Sequence, residues 1–337
     1  MQKKIRFLKF ITISSIIILL FSYRDFLYTI KLMIFHFYNY QMLPLDPYYK
    51  IILKYSGVIN ENFRFPWEWR VIPNFINWIV YEIVPCVRPM IVPVEITSQT
   101  YCSIWSISLV NFFAGIMSQV LLCYYAFKKL NRDVYESIFL IFISYFLIKF
   151  LDPFGVDRIS FLFLIIFLFF SQSPFAYIFI IISIFFNDKS LLFITSYYFC
   201  TNIDFKNLNK ILSNKKFLLS FFISLIYAIF TITLILGINS DEVVYNYFSF
   251  HGLVNSIIPL LISIFAFIYN FDNSKILKKF NLKKKFLFLI LIFLASGLLL
   301  GGPGNAGRYM IYGSIPFIPL LNFQIIKIIK KILNLNS

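Results

Sequence analysis

Long apolar runs that end in lysine clusters recur from one end of this chain to the other, and no other feature constrains its fold so tightly. A bilayer core about 30 Å thick takes roughly 20 apolar residues in a helix, because backbone polar groups inside hydrocarbon must be satisfied within the protein. Of 337 residues, 60% are hydrophobic and 14% charged; soluble domains carry about a quarter charged. The pattern predicts an all-α polytopic membrane protein, a single transmembrane domain over 1–337. Hydropathy and breakers place about ten spans, at 7–22, 103–127, 136–151, 159–171, 174–187, 190–203, 217–238, 253–271, 286–301 and 309–326. Those of about 13 residues cannot cross untilted, so their ends must sit among protein or in a thinned region.

The net charge of +16 does not point to nucleic acid, because the basic residues are scattered at the ends of apolar runs, where they act as topology signals. On this layout one side collects the N-terminus and the 128–132, 206–216 and 275–285 loops together with the tail. That side holds 20 of 31 basic residues but 4 of 15 acids, Asp133, Glu136, Asp204 and Asp272. Cytoplasmic loops carry the lysine excess, so both termini are expected in the cytoplasm. Lys3, Lys4, Arg6 and Lys9 before Phe10–Phe21 look like a signal peptide, but no small-residue cleavage site follows, and the stretch reads as a retained span. The four cysteines, Cys86, Cys102, Cys123 and Cys200, form no CxxC pair and no metal spacing, and most read as packing residues.

The outer loop at 23–102 is the longest connection, and long ordered loops are usually functional. Phe26–Leu43 is apolar enough to tempt a span. It carries Lys31 and His36, however, and counting it would turn every later lysine-rich loop outward, so it is placed as an amphipathic helix on the outer membrane surface. Further on, Ile72, Phe75, Ile76, Ile79 and Ile83 fall at helical spacing, with Arg70, Asn74, Asn77 and Tyr81 opposite and Pro73 in the first turn. This is read as a second interfacial helix, its tryptophans at headgroup depth.

The polar residues that lie close to hydrocarbon gather on the outer side. In LPLDPYYKIILKYSG, Asp46 is either a proton acceptor or metal ligand, or a helix cap with Pro47 at the first helical position. In FRFPWEWRV, Arg64, Glu68 and Arg70 either meet a lipid phosphate or pair to brace the loop. DPFGVDR puts Asp152, Asp157 and Arg158 at span ends, where charges need a partner or a wet cavity. NDKS turns two short spans around Asp188 and Lys189. GGPGNAGRY leaves Arg308 as the charge of its loop, either a phosphate ligand or a snorkelling anchor. His36 and His251 have no second ligand at useful spacing.

With these stretches in place, the chain resembles the GT-C superfamily of integral membrane glycosyltransferases, which use polyprenyl-phosphate-linked sugars. The plan is similar throughout: one span, a long first outer loop with interfacial helices, then many spans with polar groups outside. DPYYKIILKYSG is similar to the family's acid, tyrosine and helical stretch after the first span. FRFPWEWRVIP resembles the "YRVLxP" stretch of related bacterial membrane proteins, and NDKS and AGRYMIYGSIPFIPL are similar to later charged turns and the terminal arginine-containing span.

The resemblance implies transfer of a sugar from a lipid-linked donor to a glycan, lipid or protein acceptor outside a bacterial inner membrane. Asp46 would be the general base, with Asp25 as a rival and a divalent cation a possible cofactor. Arg70 and Arg308 would take the donor phosphate, and Asp152 and Asp157 would bind sugar hydroxyls or a cation. The alternatives are a transporter or flippase for a lipid-linked glycan or small solute, and a polysaccharide polymerase.

Overall fold

The computed structural model describes residues 2–40, 48–61, 70–90, 92, 94–129, 134–149, 151, 156–202, 213–235, 257, 261, 289, 291–296 and 309–316. Among these the chain is helical, with no strand: α1 (Gln2–Tyr40), α2 (Tyr48–Tyr55), α3 (Val71–Ile83), α4 (Ser98–Lys129), α5 (Val134–Lys149), α6 (Asp157–Phe170), α7 (Ala176–Ile182) continued by a 3-10 turn (Ser183–Phe185), α8 (Asp188–Asn202) and α9 (Lys215–Ile235). Helices thus occupy the first seven apolar runs. Two segments within them, Phe7–Arg24 and Ser98–Lys128, are long and apolar enough to cross a membrane. The last three expected spans lie largely outside the described residues.

The helices run alternately up and down. Phe7 and Phe10 of α1 stack on Phe127 of α4, while Phe26 of α1 meets Phe112. Rising numbers in one helix therefore meet falling numbers in the other, and the two are antiparallel. Phe21 then meets Phe142 and Tyr145 of α5. Tyr124 and Tyr125 at the far end of α4 lie against Phe169 at the far end of α6. At that end the Tyr198 hydroxyl donates to the Ser171 carbonyl (2.8 Å) and Lys216 Nζ donates to the carbonyls of Ser171 (3.1 Å) and Ser173 (2.9 Å). Burial lowers the pKa of this lysine.

At the other end α2, α3 and the N-terminal parts of α4, α6 and α8 come together. Tyr48, Ile52, Ile107 and Val156 form a small buried cluster there, with Trp78 and Tyr81 against it. The main core lies between α1 and α4 to α9 and holds a dense aromatic packing around Phe161, Phe163, Phe167 and Phe193. A Cβ at Gly313 would lie 3.0 Å from Phe293, so a larger residue there would have to press that ring aside by a few tenths of an ångström.

Three features differ from these expectations or add to them. First, α1 continues through Phe26 without the break expected after residue 22. SYRDFL has neither glycine nor proline, and charge alone does not end a helix. At 1.5 Å per residue the 39-residue α1 is about 58 Å long, nearly twice the hydrocarbon thickness. Second, α3 turns Asn74 and Asn77 fully into the protein and packs Ile72 and Ile76 against the core, whereas Phe75 and Ile83 are 48% and 72% exposed. A helix lying on the protein from water would do the reverse. Third, Cys86 and Cys102 are joined by a disulfide, with Cα atoms 5.7 Å apart. Cys123 and Cys200 are buried thiols, as packing residues should be.

Candidate functional site

The most closely knit polar cluster sits at the end where α6 and α8 begin. Val156 enters the apolar cluster around Tyr48, and this fixes Asp157 as the first residue of α6. A carboxylate there faces the positive end of the helix dipole. Across the gap, Asn187 precedes α8 and caps it: its Oδ1 accepts from the Ser190 backbone N–H (2.7 Å) and from the Ser190 hydroxyl (2.9 Å). That cap sets the first turn of α8 so that Lys189 Nζ reaches Asp157 Oδ1 at 2.9 Å. Both side chains are nearly enclosed, at 10% and 6% exposure.

The helical turn at 309–314 supplies the third wall. The Tyr312 hydroxyl lies 2.9 Å from the Asp157 carbonyl and 3.2 Å from its Oδ1, and it accepts from Asn187 Nδ2 at 3.4 Å. Tyr309 and Tyr312, three apart and so on one face, both set their rings 5.4 and 5.7 Å from Lys189 Nζ. The result is a buried carboxylate and a buried ammonium that neutralise each other. Taking charges this far from water is tolerated only when they are paired and hydrogen-bonded.

A second polar group lies beside the first. The Arg70 guanidinium donates to the Tyr48 hydroxyl and sits 5.9 Å from its ring centre. Arg70 immediately precedes α3, so the same turn starts the inward stripe that continues through Asn74 and Asn77. Among the described residues, neither amide atom of Asn77 has a hydrogen-bond partner. Tyr81, farther along α3, has its pKa raised by burial and then by the neighbouring Glu82 carboxylate.

Arg158, next to Asp157, points the other way. It is buried among α1, α4 and α5 and lines a small cavity with Ser22, Gln119 and Tyr145. Consecutive charges at the head of α6 thus serve two separate places.

Of the residues singled out in the sequence, Asp157 and Lys189 are brought into contact. Arg70 lies on the neighbouring α2–α3 corner, and Arg158 faces away into the bundle. Asp46, Arg64, Glu68, Asp152 and Arg308 lie outside the described residues, and so does His251. Asp25, His36 and Asp188 belong to helices but are described by backbone alone. Sequence reasoning missed Asn187, Tyr309, Tyr312, Gln119 and the inward role of Asn74 and Asn77. The cap was legible in the N-x-x-S spacing of NDKS, and the tyrosine pair in the three-residue spacing of YMIY. Nothing local marks Gln119.

No group of three or more His, Cys, Asp or Glu side chains gathers among the described residues, and Asp157 already holds Lys189. Compared with known protein families, curated proteins and solved structures, the chain matches none.

Proposed function

We propose that the protein is a multi-pass membrane glycosyltransferase that moves a sugar from a polyprenyl-phosphate donor to an acceptor hydroxyl on the extracytoplasmic side. The observation that carries this reading is the Arg70–Tyr48 contact, because Tyr48 follows Asp46 by two residues in the chain. A guanidinium that binds phosphate as a fork is thereby tied to the segment that bears the proposed base. The Asp157–Lys189 pair stands one apolar cluster away.

Two further features fit a membrane setting. The Cys86–Cys102 bridge lies in the 23–102 loop, and disulfides persist in oxidising, extracytoplasmic compartments. Many exposed positions on the long helices are apolar, as at Leu20 and Ile226 (69% and 66%), which suits hydrocarbon. The donor's polyprenyl tail would lie along such surfaces, and its sugar phosphate would enter sideways at the end where the polar groups gather.

In the proposed step, Asp46 accepts the proton of the acceptor hydroxyl while the oxygen attacks the anomeric carbon. The bond from that carbon to the phosphate oxygen breaks, and its electron pair leaves with the phosphate. Arg70 and Arg308 stabilise the charge that develops there. A guanidinium carries five donors, so a phosphate can share Arg70 with Tyr48. Asp152 is assigned to sugar hydroxyls. Asp157, held by Lys189 and Tyr312, braces the corner instead.

The test is transfer from polyprenyl-phosphate sugars by purified protein, with wild type set against Asp46→Asn and Arg70→Lys. Loss of transfer in the first and a fall in the second, with folding intact, is expected. Equal transfer by wild type and Asp46→Asn would remove Asp46 as base. Solute uptake into vesicles without any transfer would favour a transporter, whose polar site belongs near the bilayer midplane.

A further inference from the structure

The small cavity where α1, α4, α5 and α6 meet has a composition unlike its surroundings. Its walls are Ser22, Phe112, Gly115, Gln119, Tyr145, Ile148 and Arg158. Phe112, Gly115 and Ile148 are what a membrane bundle uses to pack. A guanidinium, an amide and two hydroxyls are not. Gln119 is 2% exposed, and among the described residues its Oε1 has no hydrogen-bond partner. An amide oxygen left so costs roughly 1–3 kcal/mol. The cavity offers about 10 Å³, about the room that a single water molecule needs.

We propose that this cavity is a binding site for one water molecule, which donates a hydrogen bond to Gln119 Oε1 beside the Arg158 guanidinium. Size excludes a phosphate or a sugar. The guanidinium repels any cation. An anion has no proton to offer Gln119, whereas water donates to the amide oxygen and keeps its lone pairs for Arg158, Ser22 or Tyr145. Buried water of this kind meets two to four polar partners and belongs to the structure. Arg158 then anchors the helix junction, and the donor phosphate is left to Arg70 and Arg308. The site does not depend on the glycosyltransferase reading, because it needs only the four helices.

Gly115 provides the test. A Cβ built there would lie 3.5 Å from Ile148 Cγ2 and 4.0 Å from Arg158 Nη1, ordinary contacts, so Gly115→Ala places a methyl group against the cavity without a clash. If water fills the space, that methyl displaces it and strands Gln119. If the space is empty, the methyl fills a void, and alanine also favours the helix.

The two effects are separated by introducing Gly115→Ala into wild type and into Gln119→Leu, which has no amide to strand. Thermal unfolding in detergent should give a Tm change about 2–4 °C less favourable in wild type than in Gln119→Leu. The same change in both backgrounds, or a more favourable one in wild type, overturns the site. Should Gln119→Leu fail to fold, a density map of wild type decides. A peak about 2.7–3.2 Å from Gln119 Oε1 supports the water; an empty cavity, or an anomalous peak after a bromide soak, overturns it.

Discussion

Replacing Lys189 with methionine should destabilise the fold by more than an average point mutation, and the geometry sets the scale. With Nζ and Oδ1 at 2.9 Å, the Coulomb attraction is about 6 kcal/mol at an effective dielectric near 20. Desolvation of each ion costs several kcal/mol and offsets most of it, so the net value of the pair is small. Breaking it is another matter. Lys189→Met leaves Asp157 charged and enclosed, at a cost of about 3–5 kcal/mol, and removes two largely desolvated cation–π contacts, each worth on the order of 1–2 kcal/mol. Asp157→Asn strands the ammonium at a similar cost. The double variant strands nothing and should recover much of the loss. A coupling energy of about 2 kcal/mol or more is expected, against an additivity error of roughly 0.3–0.5. Equilibrium unfolding in mixed micelles, followed by tryptophan fluorescence, measures all four corners of the cycle. Single losses that add within about 0.5 kcal/mol would refute the account, since they would mean that each side chain finds water or another partner.

The disulfide and the α3 stripe give two more expectations. Cys86 and Cys102, 16 residues apart, close a loop whose cross-link is worth about 3 kcal/mol. Cys86→Ser, Cys102→Ser and the double variant should therefore lose similar amounts. Alkylation mass shifts should find two protected thiols that react only after reduction, and four reactive thiols in the unreduced, unfolded protein would rule the bridge out. Asn77→Leu keeps the heavy-atom shape while removing an amide that has no partners among the described residues, so it should stabilise the fold by about 1–3 kcal/mol. A lower unfolding midpoint than wild type would show that the amide is satisfied in solution.

Much of the helical order was legible because its cause is local. Apolar runs of set length, bounded by Lys128–Lys129 or Lys215–Lys216, report where backbone can be satisfied only by itself, and helices occur there. Charge counting also grouped Asp157 and Lys189 at one end, which the up-down order of α6 to α8 bears out. Less was legible at 23–45, where the composition of Phe26–Leu43 suggested a surface helix, although no residue at 22–27 could stop α1. The two faces of α3 were legible as a pattern, but their direction was not. Periodicity says which residues share a face; it does not say whether water or hydrocarbon lies outside.

The sequence by itself determined the helical class, the positions of the apolar runs and the segregation of charge, since all three follow from hydropathy and spacing along one chain. Only the tertiary structure decided which groups meet. Asp157 finds Lys189 across 32 residues and Tyr312 across 155, Cys86 finds Cys102, and Gln119 meets Arg158 at a small gap among four helices. Such meetings depend on how helices pack in three dimensions, and that is set by side-chain shape summed over the whole bundle.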